Sequence, residues 1–129
     1  MTNILIVDTD LGLVFWLGQI LDAAGYETYP AKGVAEAVSL MSQLHLRIDA
    51  LIIRPTLEGA QAFASELRNR QRGHLKAIAL LADPNEETEC PWFWDSSHVK
   101  PELPDQEARG SFLTLVRGVL SPDGAVTRR

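Results

Sequence analysis

Ile4-Leu-Ile-Val-Asp-Thr-Asp10 is a short apolar run that ends abruptly in carboxylates. Ile4 to Val7 is rich in β-branched residues and flanked by polar ones, the pattern of a strand buried on both faces of a parallel sheet. Asp10 is placed to cap a helix, and Gly25 to sit just past that helix's carboxyl end. Between them Leu13, Leu17, Ile20, Leu21 and Ala24 repeat at helical spacing and are expected to face the sheet. Phe15 and Trp16 fall off that stripe, so at least one is expected to be exposed or to meet a partner.

The same alternation continues along the chain. Tyr26 to Pro30 reads as an edge strand, Val34 to Leu46 as a helix and Ile48 to Ile53 as a second buried strand. Residues 58 to 70 form a third helix, with Phe63 and Leu67 inward. Leu75 to Ala82 is a fourth strand broken by Asp83-Pro84, Ser97 to Lys100 a short fifth, and Gln106 to Leu120 the closing helix. Pro84 and Pro91 leave room for only a shortened fourth helix between the last two strands. Repeated strand and helix require a parallel sheet with helices on both faces, joined by right-handed crossovers. At this length the expected fold is a flavodoxin-like (βα)5 three-layer sandwich with strand order 2-1-3-4-5. Residues 1–120 form the domain, and 121–129 are expected to be a flexible tail.

Composition narrows the function. The 129 residues are 46% hydrophobic and 22% charged, with a formal charge of −5. That balance opposes a nucleic-acid surface, which needs clustered basic residues. Arg68, Arg70 and Arg72, the densest basic group, spread around a helix end. Cys90 is the single cysteine, so no internal disulfide and no cysteine-only metal site is possible. No apolar stretch approaches the roughly 20 residues that span a bilayer. A cytoplasmic location is expected, with neither membrane nor nucleic acid as partner. His45, His74 and His98 lack metal-ligand spacing and read as surface or packing residues.

In sheets of this kind the working groups collect at the carboxyl ends of the strands. Those positions are Asp8, Thr9, Asp10, Arg54, Leu81, Ala82, Asp83 and Lys100. Two carboxylates with a lysine entering from another strand suggest a hard-cation and phosphoryl site, because Mg²⁺ takes oxygen ligands and lysine neutralises phosphoryl charge. A third carboxylate, at the end of the central strand, would be the nucleophile. Arg54 stands there instead.

Ile4-Leu-Ile-Val-Asp-Thr-Asp10 resembles the opening strand of response-regulator receiver domains, of the chemotaxis-regulator type. The resemblance extends through Ile20-Leu21, Ala24-Gly25-Tyr26-Glu27, Ala31, Gly33, Glu36-Ala37, Asp49-Ala-Leu-Ile-Ile53 and Val99-Lys100-Pro101. It spans nearly the whole domain and implies a module of two-component phosphorelay signalling. The departures imply a degenerate member. The phosphorylated aspartate falls on Arg54, and the loop after it is compressed to Pro55-Thr-Leu-Glu-Gly59. The second acidic residue falls on Thr9, the phosphoryl-sensing Ser or Thr on Leu81 or Ala82, and the aromatic switch residue on Ser97. Asp8 and Lys100 are kept.

An arginine forms no acyl phosphate, and its fixed charge repels Mg²⁺. The expectation is therefore a pseudo-receiver, without enzymatic activity, metal or cofactor, that works through protein–protein contacts. Its partners would be a sensor kinase, an output domain or a second copy in a homodimer. Trp92, Phe93 and Trp94 mark the expected interaction surface, because three consecutive aromatics cannot all turn inward. Two of them covering the bare sheet edge is the competing arrangement. Arg54 is expected to bind the carboxylate of Asp8, with Asp10 as a second candidate, tying the first and third strands; the competing arrangement is an Arg54 that turns outward to solvent from the strand end. Lys100 is expected to pair with Asp8. Two other functions compete. One is a Mg²⁺-binding receiver phosphorylated at a substitute residue. The other is a flavodoxin-like FMN module, which the lack of a Ser/Thr/Gly-rich loop after Val7 disfavours.

Overall fold

A computed structural model describes residues 2–45, 47–70, 74–86, 93–101 and 105–120. The expected tail, Cys90, Trp92 and most of the predicted short fourth helix lie outside them. The elements, in chain order, are β1 (Asn3–Val7), α1 (Leu11–Ala23), β2 (Glu27–Ala31), α2 (Val34–Leu44), β3 (Ala50–Ile53), α3 (Ala60–Arg70), β4 (Lys76–Leu81), β5 (Ser96–Val99) and α4 (Gln106–Leu120). The strands form one sheet of order β2-β1-β3-β4-β5, and every neighbouring pair is parallel. That is the flavodoxin-like order expected from the sequence.

The alternating direction of side chains along each strand divides the core. Ile4, Ile6, Ala50, Ile52, Ile78 and Leu80 point to one face and meet α1 and α4 through Leu17, Ile20, Leu21, Phe112 and Val116. Leu5, Val7, Leu51 and Ile53 point to the other and meet α2 and α3 through Ala37, Ala60, Phe63, Ala64 and Leu67. Residues of β1 and β3 are buried on both faces, which is why these strands read as unbroken apolar runs.

The ends of α1 follow from two residues. The Asp10 carboxylate accepts the Leu13 N–H at 3.1 Å, satisfying a donor the helix cannot satisfy itself. Gly25 adopts φ +98° while its N–H donates to Asp22 and that of Tyr26 donates to Leu21. These two bonds are those of a Schellman cap, and a side chain at Gly25 would strain the backbone. The inner stripe of α1 is rotated slightly from the expected one: Val14 is buried and Leu13 only half-buried. Phe15 is 59% exposed, whereas Trp16 packs on the core rim. The second helix stops at Leu44, two residues early, because His45 takes a left-handed conformation at its cap.

β2 is an edge strand. Glu27 N donates to Thr2 and Ala31 O accepts from Asp8, so these two residues turn their backbone groups toward β1. Thr28 and Pro30, alternating with them, turn theirs toward the free edge.

Candidate functional site

The carboxyl ends of β1, β3, β4 and β5 lie side by side in the sheet, and Asp8, Asp10 and Lys100 meet there. Asp8 is fully buried, the lone charged residue among the buried ones described. Its N–H donates to Ala31 O at 3.1 Å, and its Oδ1 accepts the Asp10 N–H at 3.0 Å. Lys100 Nζ lies 3.0 Å from Oδ2, an ion contact rather than an aligned hydrogen bond. The ammonium reaches Asp8 because the Lys100 N–H continues the β4–β5 ladder onto Leu81 O at 2.9 Å. The expected Asp8–Lys100 pair is thus formed, with Lys100 only 14% exposed.

Arg54 does not form the expected lock. Its N–H donates to Val7 O at 3.1 Å and prolongs the β1–β3 ladder, but its side chain turns along the following loop, where Nε donates to Thr56 Oγ1 at 3.0 Å. Among the described residues Arg54 makes no ion pair. The physical reason is competition. Lys100 already occupies one oxygen of Asp8 and a backbone amide the other, while the Asp10 carboxylate is engaged in the helix cap. The compressed loop also places Thr56 two residues away, and successive turns through Leu57 and Ala60 draw the chain back toward α3.

Thr9 and Asp10 are exposed, Leu81 and Ala82 half-buried, and Ser97 exposed on β5. Asp83, one of the strand-end positions singled out from the sequence, is an exposed turn residue whose Oδ1 accepts the Asn85 N–H at 2.8 Å. One residue of this crevice escaped the sequence reading. Glu86 Oε1 accepts the N–H of Ala82 at 2.6 Å, and its Oε2 is sheltered from water without a hydrogen-bond partner among the described residues. The only hint in the sequence was a glutamate at the end of an Asp-Pro-Asn turn.

These donors do not fit Mg²⁺. The cation needs near-octahedral oxygen ligands, usually including one or two free carboxylates. Here both oxygens of Asp8 are engaged, the neighbouring position is Thr9, and the strand end beside them carries a permanent cation. Among the described residues no group of three or more His, Cys, Asp or Glu side chains is placed to hold a metal ion.

Phe93 and Trp94 are half-buried against the core on the α2/α3 face, with their rings edge-to-face at 5.0 Å. Arg68 of α3 stacks over Phe93 at 4.3 Å and donates to Phe93 O and Asp95 Oδ2, each at 2.8 Å. The same Asp95 oxygen accepts the Ala77 N–H at 2.7 Å. Both aromatics thus follow the sheet-covering arrangement. The third, Trp92, is outside the described residues. His98 packs on Phe112, ring centroids 5.1 Å apart, and burial lowers its pKa below the ordinary 6.5.

No protein-family model matches the chain, and no curated protein does. Solved structures do. The response regulator TrrA of Thermotoga maritima, solved in complex with Mg²⁺-BeF, is 26% identical over 89% of this chain and 99% of its own, with a TM-score of 0.67. A two-component response regulator from Clostridium difficile is 17% identical over 95% and 98%, with a TM-score of 0.74. The chemotaxis response regulator CheY4 of Vibrio cholerae is 22% identical over 90% and 98%, with a TM-score of 0.70. The chain has the fold of a response-regulator receiver domain. In this receiver-like chain, no described helix is long and apolar enough to cross a membrane.

Proposed function

We propose that this chain is a pseudo-receiver: a receiver-fold module of two-component signalling that acts by binding protein partners and forms no aspartyl phosphate. The observation that carries the reading is the arrangement at the strand ends. Arg54 stands at the end of β3, where a nucleophilic carboxylate would be required, and Asp8 is fully engaged by Lys100 and the Asp10 amide. A guanidinium offers no oxygen for an acyl phosphate and adds positive charge where Mg²⁺ would sit. Leu81 and Ala82 have no hydroxyl with which to sense a phosphoryl oxygen. Asp8, Thr9, Asp10, Arg54, Leu81, Ala82 and Lys100 therefore form a degenerate phosphorylation pocket with a structural role.

The partners belong to the classes that receiver domains serve: a sensor kinase, an output domain or a second copy of the chain. Exposed apolar surface next to the pocket supports the reading. Leu11 and Phe15, one turn apart on α1, are 46% and 59% exposed. Phe93 and Trp94 contribute only the part of their surface left outside the core, with Trp92 beside them in sequence.

The test is an amide NMR titration of the whole chain with Mg²⁺ and then with beryllofluoride. The expected result is no saturable shift at Asp8, Thr9, Arg54 or Lys100. Saturable shifts at those amides would show a competent pocket and overturn the pseudo-receiver assignment.

A further inference from the structure

The turn after β4 folds a carboxylate back onto the strand end it has just left. Glu86 Oε1 receives the N–H of Ala82, the first residue beyond β4, at 2.6 Å. The acceptor is a carboxylate, which makes the bond charge-assisted. The turn holds Glu86 in place: Asp83 Oδ1 accepts the Asn85 N–H at 2.8 Å, and Asp83 O accepts that of Glu86 at 3.1 Å. The second oxygen, Oε2, is out of water and unpaired among the described residues. A carboxylate oxygen in that condition is unfavourable unless positive charge compensates it. Among the described residues no ion pair supplies that charge, and the nearest cation along the ladder is Lys100, which pairs with Asp8. Leu81, the neighbour of Ala82, accepts the backbone N–H of Lys100, the cation of the crevice.

We infer that Glu86 is a tethered anion occupying an oxyanion-receiving position of this crevice, and that it keeps a diffusible tetrahedral oxyanion such as phosphate from binding there. The physical ingredients of an oxyanion site are a free backbone N–H at the carboxyl end of a parallel strand and a lysine on the adjacent strand. Both are in place, and the N–H is already spoken for by a group of the same charge type. An attached carboxylate competes at high effective concentration, because its turn has already fixed its position. The inference rests on the degenerate-pocket reading for the role of the crevice. It adds that the pocket is blocked by an internal group as well as lacking its nucleophile.

The experiment is an amide NMR titration with inorganic phosphate, at constant ionic strength against chloride, of the full chain and of Glu86→Ala. No metal is added. In Glu86→Ala, phosphate is expected to shift the Ala82 and Lys100 amides saturably, with at least about tenfold tighter binding than in the wild type. Adding Lys100→Met to that variant should abolish the response. Glu86→Gln, whose amide oxygen still reaches Ala82, should remain unresponsive. Glu86→Ser, too short to reach, repeats the test if the alanine variant does not fold. Equal titration of wild type and variant would overturn the inference, as would no titration of a well-folded Glu86→Ala or Glu86→Ser, because Glu86 would then be a turn cap alone. A wild-type response to Mg²⁺ and beryllofluoride would instead defeat the pseudo-receiver reading, so the two failures are distinguishable.

Discussion

β5 is fastened at both ends by ion pairs of opposite character. At its carboxyl end Lys100 reaches across the sheet to Asp8 of the β1 terminus, with both side chains buried or nearly so. At its amino end Asp95 meets Arg68 of α3, where both partners remain about one-third exposed or less and backbone groups join in. The first pair is held by charge in a dry place, and removing one member strands the other. The second is a clamp of several hydrogen bonds and a stacked ring, so each component contributes modestly. The difference shows that a short salt-bridge distance says little until burial and the remaining partners are known.

The comparison can be broken most directly at Asp8. Asp8→Asn keeps an acceptor for the Asp10 N–H but leaves the Lys100 ammonium buried and unpaired. It should cost about 3 kcal/mol of unfolding free energy in urea, and adding Lys100→Met should recover at least half. A loss below about 1 kcal/mol for the single variant would mean that Lys100 escapes to water and that the pair does not fasten the strand.

A smaller effect is expected at the other end. Asp95→Ala removes the acceptor of both Arg68 and the Ala77 N–H and should destabilise by about 1–2 kcal/mol. Because the clamp is part-exposed, added salt should weaken it more than it weakens the Asp8–Lys100 pair. Equal salt sensitivity of the two pairs would erase the distinction.

The smallest effect belongs to the strand's middle, where His98 packs on Phe112 instead of finding a charged partner. Burial lowers its pKa below 6.5, so the unfolded chain binds more protons in the window below that value. Stability contributed by neutral His98 is complete above the unfolded pKa and is lost as pH falls through it toward the folded one. The urea midpoint should therefore fall between about pH 7.5 and 5.5, and His98→Leu should reduce that fall. An unchanged pH dependence in His98→Leu would assign the titration to other groups.

Much of this molecule was legible in the sequence because its signals are local. Buried strands need continuous apolar runs, an N-cap needs a short acceptor such as Asp10, and a Schellman cap favours Gly25. The boundaries of α4 were readable for the same reason, whereas the Asp8–Lys100 pair follows only once strand order is known. The carboxylate lock at Arg54 does not form, because side-chain direction at a strand end is a contest among neighbours. Lys100 and a backbone amide had filled the carboxylate that Arg54 was expected to seek. Glu86 went unseen because its role depends on the exact fold of a turn that composition leaves open. The apolar character of Phe93 and Trp94 could not distinguish a partner surface from intramolecular cover, and Arg68 over Phe93 resolves their packing.

The free margin of β2 bears on how copies of this chain can meet. A neighbouring strand would need a regular row of donors, yet of the two backbone positions facing outward there, Thr28 has an N–H and Pro30 has none. Sheet-to-sheet polymerisation along that margin is thereby discouraged, a guard against amyloid-like stacking written into a single imino acid. Self-association at this side of the molecule would then draw on side chains of the flanking helices more than on backbone pairing.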